Sequence, residues 1–423
     1  MPFRKGYRKA IDDRFSVHIA SDTEEELRLI LDLNNQVHSE GNIKNYICKI
    51  MQEYPRKDEI YWLYIKDNEN GIVISSLCLS PLKYQIEKIE IPVCEMEFVG
   101  TIESYRRKGF IRFLNDLYEK LMEQEGFIFS VIRGIPYFYR TLGYDYVSSL
   151  DERIRIQVSK IPQKTLKNLS IRLATSKDIT LIKSKYSEFH ERFLIYNKFD
   201  EECFKFKYFN DIFDSEVRST YIIEENGFPI NYFSLGKSFD HQFYEIICPD
   251  LSTIEAIAIL QFVKKNGNYQ NNDILTLSVS KHTSLFHYIK TLGGELISDY
   301  GWQVKIPNLY RFLSCIKKVI NTRLERSIYK ELTKRIEITN YQETVELDIG
   351  GGKIIEIKQV IKDLPIDKAD LSIPGGFIYM LLLGDKSFDE INYIAKDAYV
   401  DPSSKKLFEI IFPKKPSLFE SYI

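Results

Sequence analysis

Cysteine is scarce in this chain of 423 residues, and the six that occur, at positions 48, 78, 94, 203, 248 and 315, form no CxxC pair and no tight cluster. That spacing argues against a disulfide framework and a cysteine-based zinc site, and fits reduced thiols in a cytosolic enzyme. Histidine is scarce as well. Among His18, His38, His190, His241, His282 and His287, only the last two are near neighbours, and their five-residue spacing does not share a helical face, so no metal site is expected. No single sign of charge dominates: 58 Lys and Arg against 60 Asp and Glu leave a net charge of -2. Nothing in that balance predicts binding to nucleic acid or to an acidic membrane surface. No apolar run approaches the roughly 18 residues of a membrane span. The opening MPFRKGYRKAIDDRF has no apolar core of secretory-signal length, so a cytoplasmic location is expected. Neither GxxxxGK[ST] nor GxGxxG is present, so the common triphosphate and dinucleotide loops are missing.

The composition is that of an ordinary globular protein, 44% hydrophobic and 28% charged. At about 100 to 200 residues per domain, two to four domains are expected. The first segment alternates helix and strand signals. TEEELRLILDLNNQVH has helical spacing, EIYWLYIKDNENGIVISSLCLSPLKYQI reads as two strands about a DNENG turn, and PVCEMEFVGTI as a further strand. Gly126 stops a helix, FIFSVI is a buried strand, and in RGIPYFYRTLGYDYV a short helix can open at Pro136 and end at Gly143. A polar stretch without periodicity, 161–175, places a border near residue 165. The second segment runs SIRLA, DITLIKSKYSEFHERF, two strands about an ENG turn, TIEAIAILQFVKKNG and LTLSVSKHTSLFHYIKTLGGELI, the same order as the first, which reads as a degenerate internal repeat. From about residue 309, a helix LYRFLSCIKKVINTRL leads into three strands with a GGG turn at 350–352, then helical GGFIYMLLLGDKSFDEI and the terminal KLFEIIFPKKPSLFESYI. The fold class is therefore mixed α+β, in three units: 1–164, 165–308 and 309–423.

One stretch, VGTIESYRRKGFIRFLNDLYEKL (99–121), carries chemistry. Phe110, Leu114, Leu117 and Leu121 recur at helical spacing, so Gly109, after three cations, falls in the first turn of an amphipathic helix. A glycine there costs roughly 1 kcal/mol relative to alanine, which suggests close approach of something to the backbone. A strand, a cation-rich turn and a helix N-terminus together offer free N–H groups, a positive dipole end and side-chain charge, the requirements of a pyrophosphate cradle. A solvated start to a surface helix has the same spacing.

The stretch ESYRRKGFIRFL resembles the acyl-CoA loop of the GCN5-related N-acetyltransferases, Arg or Gln, two residues, Gly, one residue, Gly or Ala. Arg106 and Gly109 match, and Ile111 stands where the last small residue is usual. Downstream, GIPYFYRTLGYDYV is similar to that family's closing segment, and the large residue at 111 resembles the Eis-like subfamily (enhanced intracellular survival). That resemblance implies tandem acetyltransferase domains with mixed, mostly antiparallel sheets, the second lacking the loop, and a C-terminal sterol-carrier-protein-like α+β domain. It implies acetyl-CoA as cosubstrate without a metal, and N–H groups of Arg107 to Arg112, including Lys108, Gly109, Phe110 and Ile111, on the pyrophosphate, with charge from Arg106 and Arg107. The pantetheine arm falls on Val99, Gly100 and Thr101, and Gly134 and Ile135 complete the cofactor set. Tyr139 is the implied general acid, whereas Tyr137, Tyr144 and Tyr146 read as packing residues. The implied base is the terminal carboxylate of Ile423 or a water relay. Glu97 and Glu103 lie near the cofactor strand, where an exposed carboxylate reads as a solvated charge. The implied activity is direct acetyl transfer to an aminoglycoside, polyamine or lysine-type amine, in a homo-oligomer, by analogy a hexamer. A non-catalytic acyl-CoA sensor or lipid carrier is the alternative.

Overall fold

The period-two and period-3.6 stretches become strands and helices in a computed structural model that describes residues 3–38, 43–150, 152–209, 218–238, 242–298, 300–361 and 369–421. The first group of elements is β1 (Arg8–Ala10), β2 (Phe15–Ile19), α1 (Glu24–Val37), α2 (Ile43–Glu53), β3 (Tyr61–Asp67), β4 (Ile72–Ile86), β5 (Ile89–Thr101), α3 (Phe110–Glu125), β6 (Phe129–Ile132) and β7 (Asp145–Ser149). A second group follows: β8 (Glu152–Gln157), β9 (Leu169–Leu173), α4 (Ile179–His190), β10 (Ile195–Asn197), α5 (Glu201–Phe209), β11 (Ser219–Glu225), β12 (Phe228–Lys237), β13 (Tyr244–Ile247), α6 (Thr253–Asn266), β14 (Ile274–Val279), α7 (Ser284–Thr291), β15 (Glu295–Ser298) and β16 (Gly301–Lys305). The third is α8 (Leu309–Cys315), α9 (Lys317–Glu325), β17 (Lys334–Thr339), β18 (Thr344–Gly350), β19 (Lys353–Val360), β20 (Leu371–Ser372), α10 (Phe377–Leu382), α11 (Phe388–Ile394), β21 (Tyr399–Val400) and α12 (Lys405–Ile411). The single helix expected over LYRFLSCIKKVINTRL is two, broken at Ile316. The break lets Phe312, Leu313, Ile316, Val319, Ile320 and Leu324 all face the core.

These strands form three mixed sheets, ordered β1-β2-β3-β4-β5-β6-β16-β7, β15-β8-β14-β13-β12-β11-β9 and β19-β18-β17-β20-β21, with β10 added alongside β4. Each sheet holds one parallel pair, β5 with β6, β13 with β14 and β17 with β20. The first two sheets exchange strands reciprocally. β8, which follows β7 in the chain, lies between β14 and β15, and β16, which follows β15, lies between β6 and β7. In β8, Glu152, Ile154 and Ile156 are buried and alternate with the exposed Arg153, Arg155 and Gln157, so the strand reads as half-buried locally while its partners lie over a hundred residues downstream.

Two features of the first sheet create the site. β5 and β6 pair Val93 with Phe129, Cys94 with Ser130 and Glu95 with Val131, and then part. Beyond that point β5 runs on to Thr101 beside β4 alone, and β6 is held on its other side by β16, which leaves a wedge between them. The apex is pinned by buried hydroxyls: Ser130 Oγ lies 2.7 Å from Tyr118 Oη and 2.8 Å from Tyr144 Oη. A β-bulge then bends β5, because Ser76 faces Gly100 while Cys78 faces Glu97, and Phe98 takes a φ of 50°. At Gly100 a Cβ would press against Val37 at the end of α1, so this glycine is needed for helix-on-strand contact.

Candidate active site

α3 starts at Phe110 with Gly109 as its left-handed N-cap, φ 82°, and no side chain caps it. Gly109 thus sits one step before the helix rather than in its first turn. A Cβ added there would meet nothing within 4 Å, so the backbone faces open space. Among the described residues, the N–H groups of Arg107, Lys108, Gly109, Phe110 and Ile111 have no acceptor, which leaves a run of unpaired donors at the start of α3. Arg112 is a correction to the expected set: its N–H bonds Gly109 O at 3.0 Å, so it can offer only its exposed guanidinium. Phe110 is another partial case, since its ring is buried against Phe15 in the core and only its N–H faces out. Arg106 Nε donates to Thr101 O at 3.2 Å, tying the loop to the end of β5, and Arg107 holds a φ of 64°. Tyr105, just before them, donates to buried Asp67 at 2.8 Å, and Asp67 is also gripped by Arg14. The cradle residues and Val99, Gly100 and Thr101 therefore come together at the open end of the wedge.

The other wall carries Gly134, Ile135 and Tyr139. The Gly134 carbonyl accepts from Gln303 Nε2 at 3.0 Å and from the Tyr300 hydroxyl, so the exchanged strand β16 and the residue before it fix this turn. Any Cβ at Gly134 would collide with the Tyr139 ring, which lies flat over it. Ile135 is 65% exposed and Tyr137 73% exposed with a φ of 69°. Tyr137 is therefore not the packing residue expected of it; the turn that seats Tyr139 in the core swings it outward. Tyr144 is buried and Tyr146 half-buried. Tyr139 is 6% exposed, its hydroxyl has no hydrogen-bond partner among the described residues, and burial pushes the phenol well above its ordinary value. It shares one apolar cluster with Phe110, Leu114 and Met96. Three of the non-glycine residues with positive φ, Phe98, Arg107 and Tyr137, lie around this wedge.

On β5, Cys94 and Met96 face α3, whereas Glu95, Glu97 and Phe98 face the opposite side of the sheet. There a cavity of about 630 Å³ opens between the first two sheets and the end of the chain, bounded by Glu97, Phe98, Arg133, Trp302, residues of the second sheet and Leu418 to Ser421. Glu97 is 9% exposed, which corrects its reading as a solvated charge. Burial, and then the neighbouring Glu95 carboxylate, raise its pKa well above the usual carboxylate range, against the pull of Arg133, which contacts both acids. The visible signal was PVCEMEFV, two carboxylates inside an otherwise apolar strand. Glu103 lies exposed in the loop.

The tail enters this cavity as a pinned strand of chain. Leu418 N bonds Ile195 O at 2.8 Å, and the Glu420 carbonyl accepts from Tyr84 at 2.8 Å and Asn197 at 2.7 Å. Phe419 is buried among Tyr84, Phe129 and Trp302. Burial alone would raise the Glu420 carboxyl, but the charges of Lys207 and His190 and hydrogen bonds from His190 and Tyr186 hold it well below the usual range. Ile423, the expected base, lies outside the described residues; Ser421 lines the cavity.

No family model matches the chain, and no curated protein does. The fold is that of the GCN5-related N-acetyltransferases, and solved structures share it along nearly their full length. A GCN5-related N-acetyltransferase from Anabaena variabilis is similar at 16% identity and a TM-score of 0.69, covering 96% of this chain and 98% of its own. A conserved protein of unknown function from Enterococcus faecalis, described as a probable N-acyltransferase, is similar at 13% identity and 0.70, covering 97% and 100%. Eis1 from Mycobacterium abscessus is similar at 11% identity and 0.61, covering 96% and 98%.

Proposed function

We propose that this protein is an acyl-CoA-dependent N-acyltransferase that moves an acetyl group from acetyl-CoA directly to a primary amine. The observation that carries the reading is a helix N-terminus with uncapped donors and adjacent cations, set at the mouth of a wedge between two parting parallel strands. The matching helix of the second sheet argues by contrast. α6 also follows the first strand of a parallel pair, yet its N-terminus is closed by a capping box between Ser252 and Glu255 and has no cation-rich loop. One of the two helices satisfies itself, and the other is left to bind an anion.

Acetyl-CoA fits the residues present and supplies the activated acyl thioester. N–H groups 107 to 111 with Arg106 and Arg107 would hold its pyrophosphate, and the wedge between Val99 to Thr101 and Gly134 to Ile135 would take its arm. Tyr139, kept neutral by burial, supports a general acid for the leaving thiolate. Glu97, its pKa raised by burial and by Glu95 beside the cavity, supports a proton acceptor for the incoming ammonium, directly or through water. The carboxylate of Ile423 is the other candidate base, and a chain shortened by residues 422 and 423 separates the two. The reading includes a degenerate second acetyltransferase-like unit, a sterol-carrier-like third unit and a homo-oligomer, which sedimentation of the purified protein tests.

The decisive experiment is thiol release from acetyl-CoA with an aminoglycoside, a polyamine and a lysine peptide as acceptors. Turnover that falls about 10²-fold or more in Tyr139→Phe, with acetyl-CoA affinity kept, supports the assignment. Tight acetyl-CoA binding with no turnover on any amine would support a non-catalytic sensor instead.

A further inference from the structure

The acceptor cavity is not acidic, and the arrangement of its charges points to a particular kind of amine. At the wedge end, Glu95 and Glu97 share one cation, Arg133, so the second acid either holds a proton or is matched by an incoming ammonium. From the other side come Lys207 on α5, Arg218 just before β11 and Arg153 on β8 of the second sheet. Lys207 is matched by Glu420 at 3.6 Å and Arg218 by Glu245 at 2.6 Å. Arg153 has no carboxylate and no hydrogen-bond acceptor among the described residues; its one contact of note is the face of Phe243, 4.2 Å from the guanidinium carbon. Among the described residues, one carboxyl in excess of the cation beside it and one guanidinium without a carboxylate therefore stand on opposing sheets of one cavity, whose lining includes the aromatic Phe98, Phe189, Trp302 and Phe419.

We propose that the acceptor is a zwitterion: a primary amine on an apolar or aromatic body whose far end carries a carboxylate, with the amine at Glu97 and the carboxylate on Arg153. A planar guanidinium already stacked on a ring presents its remaining N–H edge to a carboxylate in the bidentate manner that arginine favours. A polycation would instead set its second ammonium against Arg153, and like charges brought together cost affinity. The inference rests on the acyl-transfer reading for the role of Glu97, and it narrows the expected acceptors away from polyamines and aminoglycosides.

Three acceptors of one shape test it on the full chain: para-carboxyphenethylamine, phenethylamine and para-(aminomethyl)phenethylamine. Each is measured for binding by calorimetry in the presence of CoA and for acylation by thiol release from acetyl-CoA. The carboxylate compound is expected to bind at least about 10-fold more tightly than the diamine, close to one well-made charge contact. Arg153→Glu is expected to reverse that order. A diamine that binds as well as the carboxylate compound, a carboxylate compound that does not bind, or an order unchanged in Arg153→Glu would each overturn the proposal. Binding in the expected order without acylation of any compound upholds the proposed recognition and removes acyl transfer; acylation without that order does the reverse.

Discussion

Tyr139 and Glu97 approach the wedge from opposite faces of one sheet, and burial moves both upward in pKa with opposite chemical effect. A phenol pushed up stays a proton donor at neutral pH, and a carboxyl pushed up is a better proton acceptor for an ammonium than an ordinary carboxylate. Glu97→Gln should therefore lower kcat by about 10²-fold and flatten the acid limb of the kcat/KM profile, read by thiol release across pH. Stability follows the same group. Because its folded pKa is raised, Glu97 binds more protons folded than unfolded between the ordinary carboxylate value and its own, so stability falls as pH rises through that window. Glu97→Gln removes this slope, and its Tm relative to the parent should rise with pH. Glu420 has the opposite sign: its folded pKa is depressed, so what it contributes is present above the ordinary value and is lost on acidification. That Tyr139 lies in a short helix closed by Gly143 was legible in the sequence, whereas the acid role proposed for it comes from the resemblance of its motif. Glu97 was visible but read as solvated, since the alternation of PVCEMEFV does not say that a second sheet and a tail cover its outer face.

The two helix N-termini make a matched pair for substitution. Gly109→Ala must hold a residue with a Cβ at φ 82°, which costs about 1–2 kcal/mol. It should also raise the KM for acetyl-CoA, because a turn that resists φ 82° would shift the unpaired donors of residues 107 to 111. Ser252→Ala at α6 should cost about 1 kcal/mol through the lost cap and leave acetyl-CoA affinity unchanged. Thermal unfolding and acetyl-CoA titration of both variants check the pair. Most elements were readable from periodicity and turn residues, down to Gly126 and Gly143 as helix stops. The wedge was not. Strand divergence after Glu95 is a matter of which neighbour stops pairing, and no local pattern in β5 or β6 encodes it.

The molecule is held together by segments that cross from one sheet to another. β16 completes the first sheet, β8 completes the second, and the tail seals the cavity between them. Residues 1–164 made alone should fail to give a folded acetyl-CoA-binding protein, because β6 and β7 would lack the strand that joins them. Circular dichroism and calorimetry of that fragment beside the full chain decide it. Phe419→Ala should cost about 3–5 kcal/mol, as expected for emptying an aromatic site among buried rings, and should reduce turnover through the loosened cavity wall. The strand at RIRIQ was passed over in the sequence, and its sheet membership across more than a hundred residues is a long-range property that local alternation does not carry.

The exchanged strand also sets a clock on the ribosome. The wedge needs β16 behind β6, and β16 is synthesised roughly 150 residues after β7, about 8 to 30 s later at roughly 5–20 residues per second. During that interval the nascent first sheet carries two unpaired inner edges, a liability for aggregation that chaperones would be expected to cover. The same delay means that the wedge cannot assemble until β16 has been made, so a chain broken off midway would leave no complete site behind.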